Sequence, residues 1–176
     1  YGDHRDLHRV DRRQRQMCIR DSHTTMTLAC CDSDGPWAAP VYYARQGFDL
    51  IFFSSPTSRH CSAFARNPKA AAAIYGDYER WQEIKGLQME GFVEPLTSAL
   101  DKARATTTYL LRFPFAREFL ISPKIISAHV ATKMSQVTLH QFRPRIIRYL
   151  NNEDGFGNRW KLDIFDGEPV GVPIRG

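Results

Sequence analysis

After residue 22, apolar residues either alternate with polar ones or gather in short blocks, and turn-forming residues divide the blocks. Period-two alternation puts apolar side chains on one face of a strand, while clusters of Gly, Pro, Asn and Asp mark reversals. Thr24 to Cys31 is the first block and stops at Asp32-Ser33-Asp34-Gly35-Pro36. Trp37 to Arg45 follows, Gln46-Gly47 turns the chain, and Phe48 to Ser54 makes a third, aromatic block. Runs joined by such short turns predict antiparallel hairpins. Ala70 to Tyr75, hemmed in by Pro68 and Gly76, predicts a buried strand. Ile84 to Leu96 predicts a longer one holding Gly86 and Gly91, and glycines inside a strand mark bends or close approaches. Gln136 to Tyr149 predicts a strand with an edge or bulge at Pro144, and Arg159 to Phe165 a final strand.

Helical spacing is rarer. Thr57 or Ser58 is a suitable N-cap for a short helix that Asn67-Pro68 stops within about three turns. Thr97 to Phe113 predicts the longest helix, with Leu100, Ala103, Thr107, Leu110 and Leu111 at helical spacing and Pro114 as its stop. Phe115 to Ile121 adds a turn. The sum is mainly β with a few helices: a six- to seven-stranded, mostly antiparallel barrel.

Residues 1–22 break this pattern. They carry six Arg against four Asp and no sustained apolar period. The run Arg12 to Ser22 resembles translated adapter read-through, which sets 1–22 apart as a non-native or disordered segment and 23–176 as the one domain. The rival reading, a basic arm for nucleic acid, is weakened by the interspersed Asp residues. Of the net charge of +5, about +3 belongs to the remaining chain. That suits a small anionic ligand and lacks the clustered basic stripe of a nucleic-acid binder. No run approaches the roughly 18 apolar residues of a membrane span. Cys18, Cys30, Cys31 and Cys61 show no CxxC spacing, so buried reduced thiols in a cytoplasmic protein are expected. His23, His129 and His140 are scattered without metal-ligand spacing and read as structural or exposed, and no metal site is expected.

The segment with chemical promise is Phe52-Phe53-Ser54-Ser55-Pro56-Thr57-Ser58-Arg59-His60. It joins a strand end to a helix start, where outward-pointing N–H groups and the helix dipole favour an anion. Ser54, Ser55, Thr57 and Ser58 offer hydroxyls, and Arg59 offers a bidentate grip that lysine lacks. The competing reading is a solvated turn before a capped helix. P-loop and Rossmann glycine signatures are absent.

That string, with Asn67-Pro68 and Ala71-Ala72-Ala73 after it, resembles the pyridoxamine-phosphate-oxidase-like family, in which an aromatic strand runs into a Ser-Arg-Lys or Thr-Arg-His turn, a helix, Asn-Pro and a small-residue strand. Ile84 to Gly91 resembles the family's next strand, and Arg112-Phe113-Pro114 with Asn152 to Gly157 resembles a bacterial subgroup. The resemblance covers about residues 23–165. It implies an FMN-binding split barrel, a homodimer with the cofactor at the subunit interface, and oxidoreductase activity on a small molecule. Phe53, Ser54, Ser55, Ser58, Arg59 and His60 would take the phosphate and ribityl contacts, and Gly86 and Gln88 would underlie the ribityl chain or ring. True pyridoxamine phosphate oxidases carry an Arg and a Lys where Ala38 and Tyr43 stand, and their substrate-phosphate residues near the C-terminus are not evident. Vitamin B6 oxidation is therefore not expected. The alternatives are a haem-binding barrel with His60 on iron, a non-enzymatic ligand-binding barrel of the same kind, or a deazaflavin-dependent reductase. No catalytic side chain stands out.

Overall fold

A computed structural model describes residues 20–120 and 136–176. Its strands are β1 (Thr25–Asp32), β2 (Gly35–Tyr42), β3 (Ala44–Gln46), β4 (Asp49–Ser54), β5 (Lys69–Tyr75), β6 (Lys85–Pro95), β7 (Thr138–Asn151), β8 (Arg159–Phe165) and β9 (Glu168–Arg175). The helices are α1 (Arg59–Arg66), α2 (Ala99–Arg112) and α3 (Ala116–Leu120). All strand pairings are antiparallel and follow the order β2-β1-β5-β6-β7-β4-β3, with β8 and β9 added beside β7. The sheet curls into a half-barrel. Its hollow face holds Met26, Leu28, Leu50, Phe52, Ile74, Leu87, Met89, Phe142, Ile147 and Leu162, all 1% exposed or less. Burying each such side chain contributes about 1.5–3 kcal/mol.

The long strand β7 organises the barrel. Its first half, Thr138 to Phe142, pairs with β4, and its second half, Ile146 to Leu150, pairs with β8, while β6 runs along both. Between the halves the register slips: Glu90 faces Ile146 but Gly91 faces Pro144, leaving Arg145 as the extra residue of a bulge. Side chains alternate faces along a strand, so one inserted residue reverses the alternation. His140 and Phe142 point inward before the bulge, and Ile147 and Tyr149 after it. Gly91 makes the bulge possible, because a Cβ there would lie 2.0 Å from the Arg143 carbonyl oxygen.

Helix α2 covers the outer face. Ser98 caps it by accepting the Asp101 N–H at 3.4 Å, and Tyr109, Leu110 and Phe113 pack on Ala44 and Phe53. Ile51, Leu139 and Ala105 form a second small contact beneath it.

The expected elements recur with three differences. Strand character from Trp37 to Arg45 is split at Tyr43, whose ring turns fully inward while its hydroxyl donates to the Arg20 carbonyl at 2.7 Å. Ala70 to Tyr75 is half-buried rather than buried: Ala72 and Ile74 face the core, and Tyr75 is 62% exposed. Strand β9, which carries Pro169 and Pro173, lies beyond the Arg159 to Phe165 strand expected to be the last. It pairs with β8, and proline is tolerated where a strand lies at a sheet edge. The bulge expected at Pro144 is present. Of the segment set apart at the N-terminus, Arg20 is buried, its guanidinium 4.7 Å over the Phe48 ring, and Asp21 pairs with Arg45 at 2.7 Å. Residues 1–19 and His129 lie outside the described residues. Among the described residues no helix is long and apolar enough to cross a membrane.

Candidate functional site

Strand β4 stops at Ser54, where Pro56 interrupts the ladder. The turn closes with the Ser58 N–H donating to the Ser55 carbonyl at 3.0 Å, and the Ser55 and Thr57 hydroxyls hydrogen-bond at 2.9 Å. Ser58 then caps α1, its hydroxyl accepting the Cys61 N–H at 3.3 Å. From the first turn of α1, His60 reaches back: its Nε2 lies 2.6 Å from Ser54 Oγ and 3.2 Å from Ser58 Oγ. Two hydroxyls and an imidazole thus converge at a helix N-terminus, the donor set and dipole sense that suit an anion.

Directly behind this group, Cys61 Sγ sits 3.7 Å from His140 Nε2. His140 comes from the first half of β7, donates its Nδ1–H to the Thr138 carbonyl at 3.2 Å, and stacks on Phe52 with centroids 5.4 Å apart. Burial works to raise the pKa of the Cys61 thiol, but hydrogen bonds with His140, His60, Ser58 and Ser54 outweigh it and bring the pKa down to about 5. Buried Cys30, by contrast, is pushed up, first by burial and then by Asp32.

Arg59 points elsewhere. Its Nε and Nη2 donate to the two Asp32 carboxylate oxygens at 2.8 and 2.9 Å, and its guanidinium lies 4.6 Å over the Trp37 ring. This fork ties α1 to the β1–β2 hairpin. The Arg59 hydrogen bond holds the Asp32 carboxyl at about 2, well below its ordinary 3.8. A depressed carboxylate stabilises the fold above its unfolded pKa and stops doing so as pH falls through its folded pKa. Asp32→Asn should therefore lower the thermal midpoint at pH 7, and the gap from the parent protein should close as pH is taken from 4 to 2. Paired melting curves across that range check this.

A hollow of about 450 Å³ opens beside the turn, lined by Tyr42, Phe53, Ser54, Ser55, His60 and Tyr109. Its walls are mostly apolar, with Tyr42, Phe53 and Tyr109 among them and Ser54, Ser55 and His60 as the polar groups, the usual pattern of a small-molecule site. Gly86 and Gln88 are not part of it. They line another hollow, of about 420 Å³, with Tyr75, Tyr78 and Leu150. Gly86 pairs with Leu150 and Ser54 with Thr138, so the two groups stand at opposite ends of β7, roughly 40 Å of extended strand apart. Within one chain, the structure brings together Phe53, Ser54, Ser55, Ser58 and His60, leaves Arg59 on the hairpin side, and keeps Gly86 and Gln88 distant.

Sequence reasoning did not foresee two partners here. His140, read as structural or exposed, is buried against Cys61, and Asp32, read as a turn residue, engages Arg59. No spacing rule links residues so far apart. Among the described residues no group of three or more His, Cys, Asp or Glu is placed to hold a metal ion.

A family model described as Pyridoxamine 5'-phosphate oxidase matches residues 14–131. The chain is similar to the UPF0306 protein plu4501 of Photorhabdus laumondii, with 28% identity over 136 residues, 76% of this chain and 83% of that protein. It is also 32% identical over 105 residues to a UPF0306 protein of Haemophilus ducreyi, covering 56% of this chain and 69% of that one. Among solved structures, a heme binding protein from Mycobacterium smegmatis superposes with a TM-score of 0.65 at 20% identity, covering 82% of this chain and 55% of that one. The chain thus spans little more than half of that mycobacterial protein. A putative pyridoxamine 5'-phosphate oxidase from Listeria innocua gives 0.58 at 17%, covering 78% and 97%. The heme storage protein HutZ from Vibrio cholerae gives 0.56 at 15%, covering 73% and 86%. At these identities the structures share the fold.

Proposed function

The chain belongs to the pyridoxamine 5'-phosphate oxidase family, with the split-barrel fold of that family, and from that premise we propose that it is a homodimeric FMN-binding protein and an oxidoreductase acting on a small molecule. The observation that carries this reading is the convergence of Ser54, Ser58 and His60 at the N-terminus of α1, beside a hollow walled by Tyr42, Phe53 and Tyr109. A phosphate fits such a donor set, and an aromatic hollow fits a ring system. FMN, when bound, supplies two-electron redox chemistry, and the protein supplies binding, orientation and hydrogen bonds.

Ser54, Ser55, Ser58 and His60 would hold the phosphate. Arg59 would add Nη1, the one nitrogen of its fork that Asp32 leaves to other partners. The wide separation of Gly86 and Gln88 from the turn supports a site built from two copies, the turn of one facing β6 of the other. Tyr43 lies inward on Arg20 and Ala38 has no donor, so neither extends the grip. This points to modest affinity and away from vitamin B6 oxidation. A haem or deazaflavin reading draws only on fold likeness. For haem, His60 Nε2 is already held by two serines.

Titration of the purified protein with FMN, followed by flavin fluorescence, tests this reading. Saturable binding is expected, and His60→Ala should weaken it by about one to two decades, the worth of a charged hydrogen bond of roughly 1.5–3 kcal/mol. No saturation, or equal affinity in parent, His60→Ala and Ser54→Ala proteins, would sink it. A Soret band near 400 nm in the protein as purified would favour haem instead.

A further inference from the structure

Behind the anion turn lies a group of side chains that cofactor binding does not use. We propose that Cys61 is a modification site: its Sγ is a nucleophile that hydrogen peroxide oxidises to a sulfenic acid, with His140 as its proton partner. A nucleophile needs a base within hydrogen-bond reach and a third group to orient that base. Cys61 Sγ, His140 Nε2 at 3.7 Å, and the Thr138 carbonyl at 3.2 Å from His140 Nδ1 meet that requirement. The Thr138 carbonyl can only accept, so Nδ1 carries hydrogen and Nε2 is turned to the sulfur. Stacking on Phe52 fixes the ring plane.

Groups from four elements bear on the sulfur. His60 and Ser58 belong to α1 and its cap, Ser54 to β4, His140 to β7, and Cys30 of β1 lies within electrostatic reach. Their hydrogen bonds favour the thiolate over the thiol, the form that attacks peroxides. Cys61 is 6% exposed, which keeps large reagents out and selects for a small uncharged oxidant.

The step balances. Sγ attacks one peroxide oxygen, an S–O bond forms and the O–O bond breaks. Sulfur loses two electrons and the peroxide gains them. The departing hydroxide takes the proton held between Cys61 and His140 and leaves as water, so Cys61 becomes a sulfenic acid and His140 ends neutral.

Internal controls make the test clean. Trypsin, cutting after Arg59 and Arg66, places Cys61 alone in one short peptide, whereas Cys30 and Cys31 share another. The folded full-length protein is treated with hydrogen peroxide for set times, unfolded, and blocked with a maleimide, and the unblocked fraction of each peptide is read by mass spectrometry. At pH 6 a thiol near pKa 5 is almost wholly ionised and an ordinary one well under 1%. Weaker intrinsic nucleophilicity offsets much of that, leaving an advantage of roughly ten-fold. The Cys61 peptide should therefore oxidise about ten-fold faster than the exposed-thiol peptide at pH 6. Its rate should change less than about three-fold between pH 6 and 8, whereas an ordinary thiol's rises almost a hundred-fold. His140→Gln should slow Cys61 and restore the ordinary pH profile. A Cys61 rate at or below that of the Cys30–Cys31 peptide at pH 6, or a rate climbing with pH like theirs, overturns the proposal. Both readouts come from the unmutated protein and do not depend on how well the His140 variant folds.

Discussion

Replacing Gly91 by alanine should destabilise the protein by about 3 kcal/mol, or prevent folding, although the change adds one methyl group. The new Cβ would fall 2.0 Å from the Arg143 carbonyl oxygen, 2.8 Å from its carbon and 2.9 Å from Pro144 Cα. All three are backbone atoms of the β7 bulge, so no side-chain rotation relieves the clash. The bulge itself must move, and with it the reversal that turns His140 and Phe142 inward before Arg145 and Ile147 and Tyr149 inward after it. Urea unfolding followed by circular dichroism measures the loss. Gly47→Ala is the control: it sits at φ +63 with nothing within 4 Å, so strain alone should cost about 1 kcal/mol. Equal losses at the two positions would show that the bulge yields more easily than its geometry indicates.

The second large effect is on the pH dependence of stability. Cys61 ionises at about 5 in the folded chain and near its ordinary value of 9.0 when unfolded. Below pH 5 both states hold the proton, and above pH 9 neither does. Between them the unfolded state binds one proton more, so stability rises with pH across that window and is lost as pH falls through 5. The slope can reach about 1.4 kcal/mol per pH unit for a single proton. Other displaced groups act elsewhere: Asp32 at about 2, and the buried Tyr43 and Tyr109 hydroxyls, pushed up to about 12, only where free tyrosine ionises. Denaturation midpoints at pH 5.5, 7 and 8.5 should climb for the parent protein and stay nearly level for Cys61→Ser. A parallel climb in both would assign the effect to another group.

The parts of this architecture that were legible in the sequence are those set by neighbours in the chain. Ser58 as cap, Asn67-Pro68 as stop and Pro56 as strand end act within a few residues, and so does the approach of His60 to Ser54 and Ser58. Gly91 and Pro144 both stood out as irregular positions inside strands, but nothing local says that they face each other. Inward and outward positions on β7 were unreadable for that reason, since a single unpaired residue reverses them. The Cys61–His140 contact spans 79 residues and the Arg59–Asp32 fork 27, and each depends on sheet order. Arg59 shows how that matters: its charge and place fit a phosphate grip, while the folded chain sets a carboxylate against it. Gly86 and Gln88, two residues apart on β6, share a strand face, yet their distance from the turn depends on how β7 lies along β6.

Strand β7 also sets a timetable. Ser54 and Thr138, joined where β4 meets β7, are 84 residues apart. At the usual pace of synthesis, about 5–20 residues per second, the turn around Ser54 leaves the ribosome on the order of ten seconds before the strand that backs it. During that interval α1 can cap itself with Ser58 and His60 can find Ser54, but the Cys61 sulfur has no imidazole beside it and the inner face of β4 has no cover. A nascent chain of this protein is thus an open sheet awaiting β7, and a truncated one ending before residue 138 would keep the turn and lose the chemistry behind it.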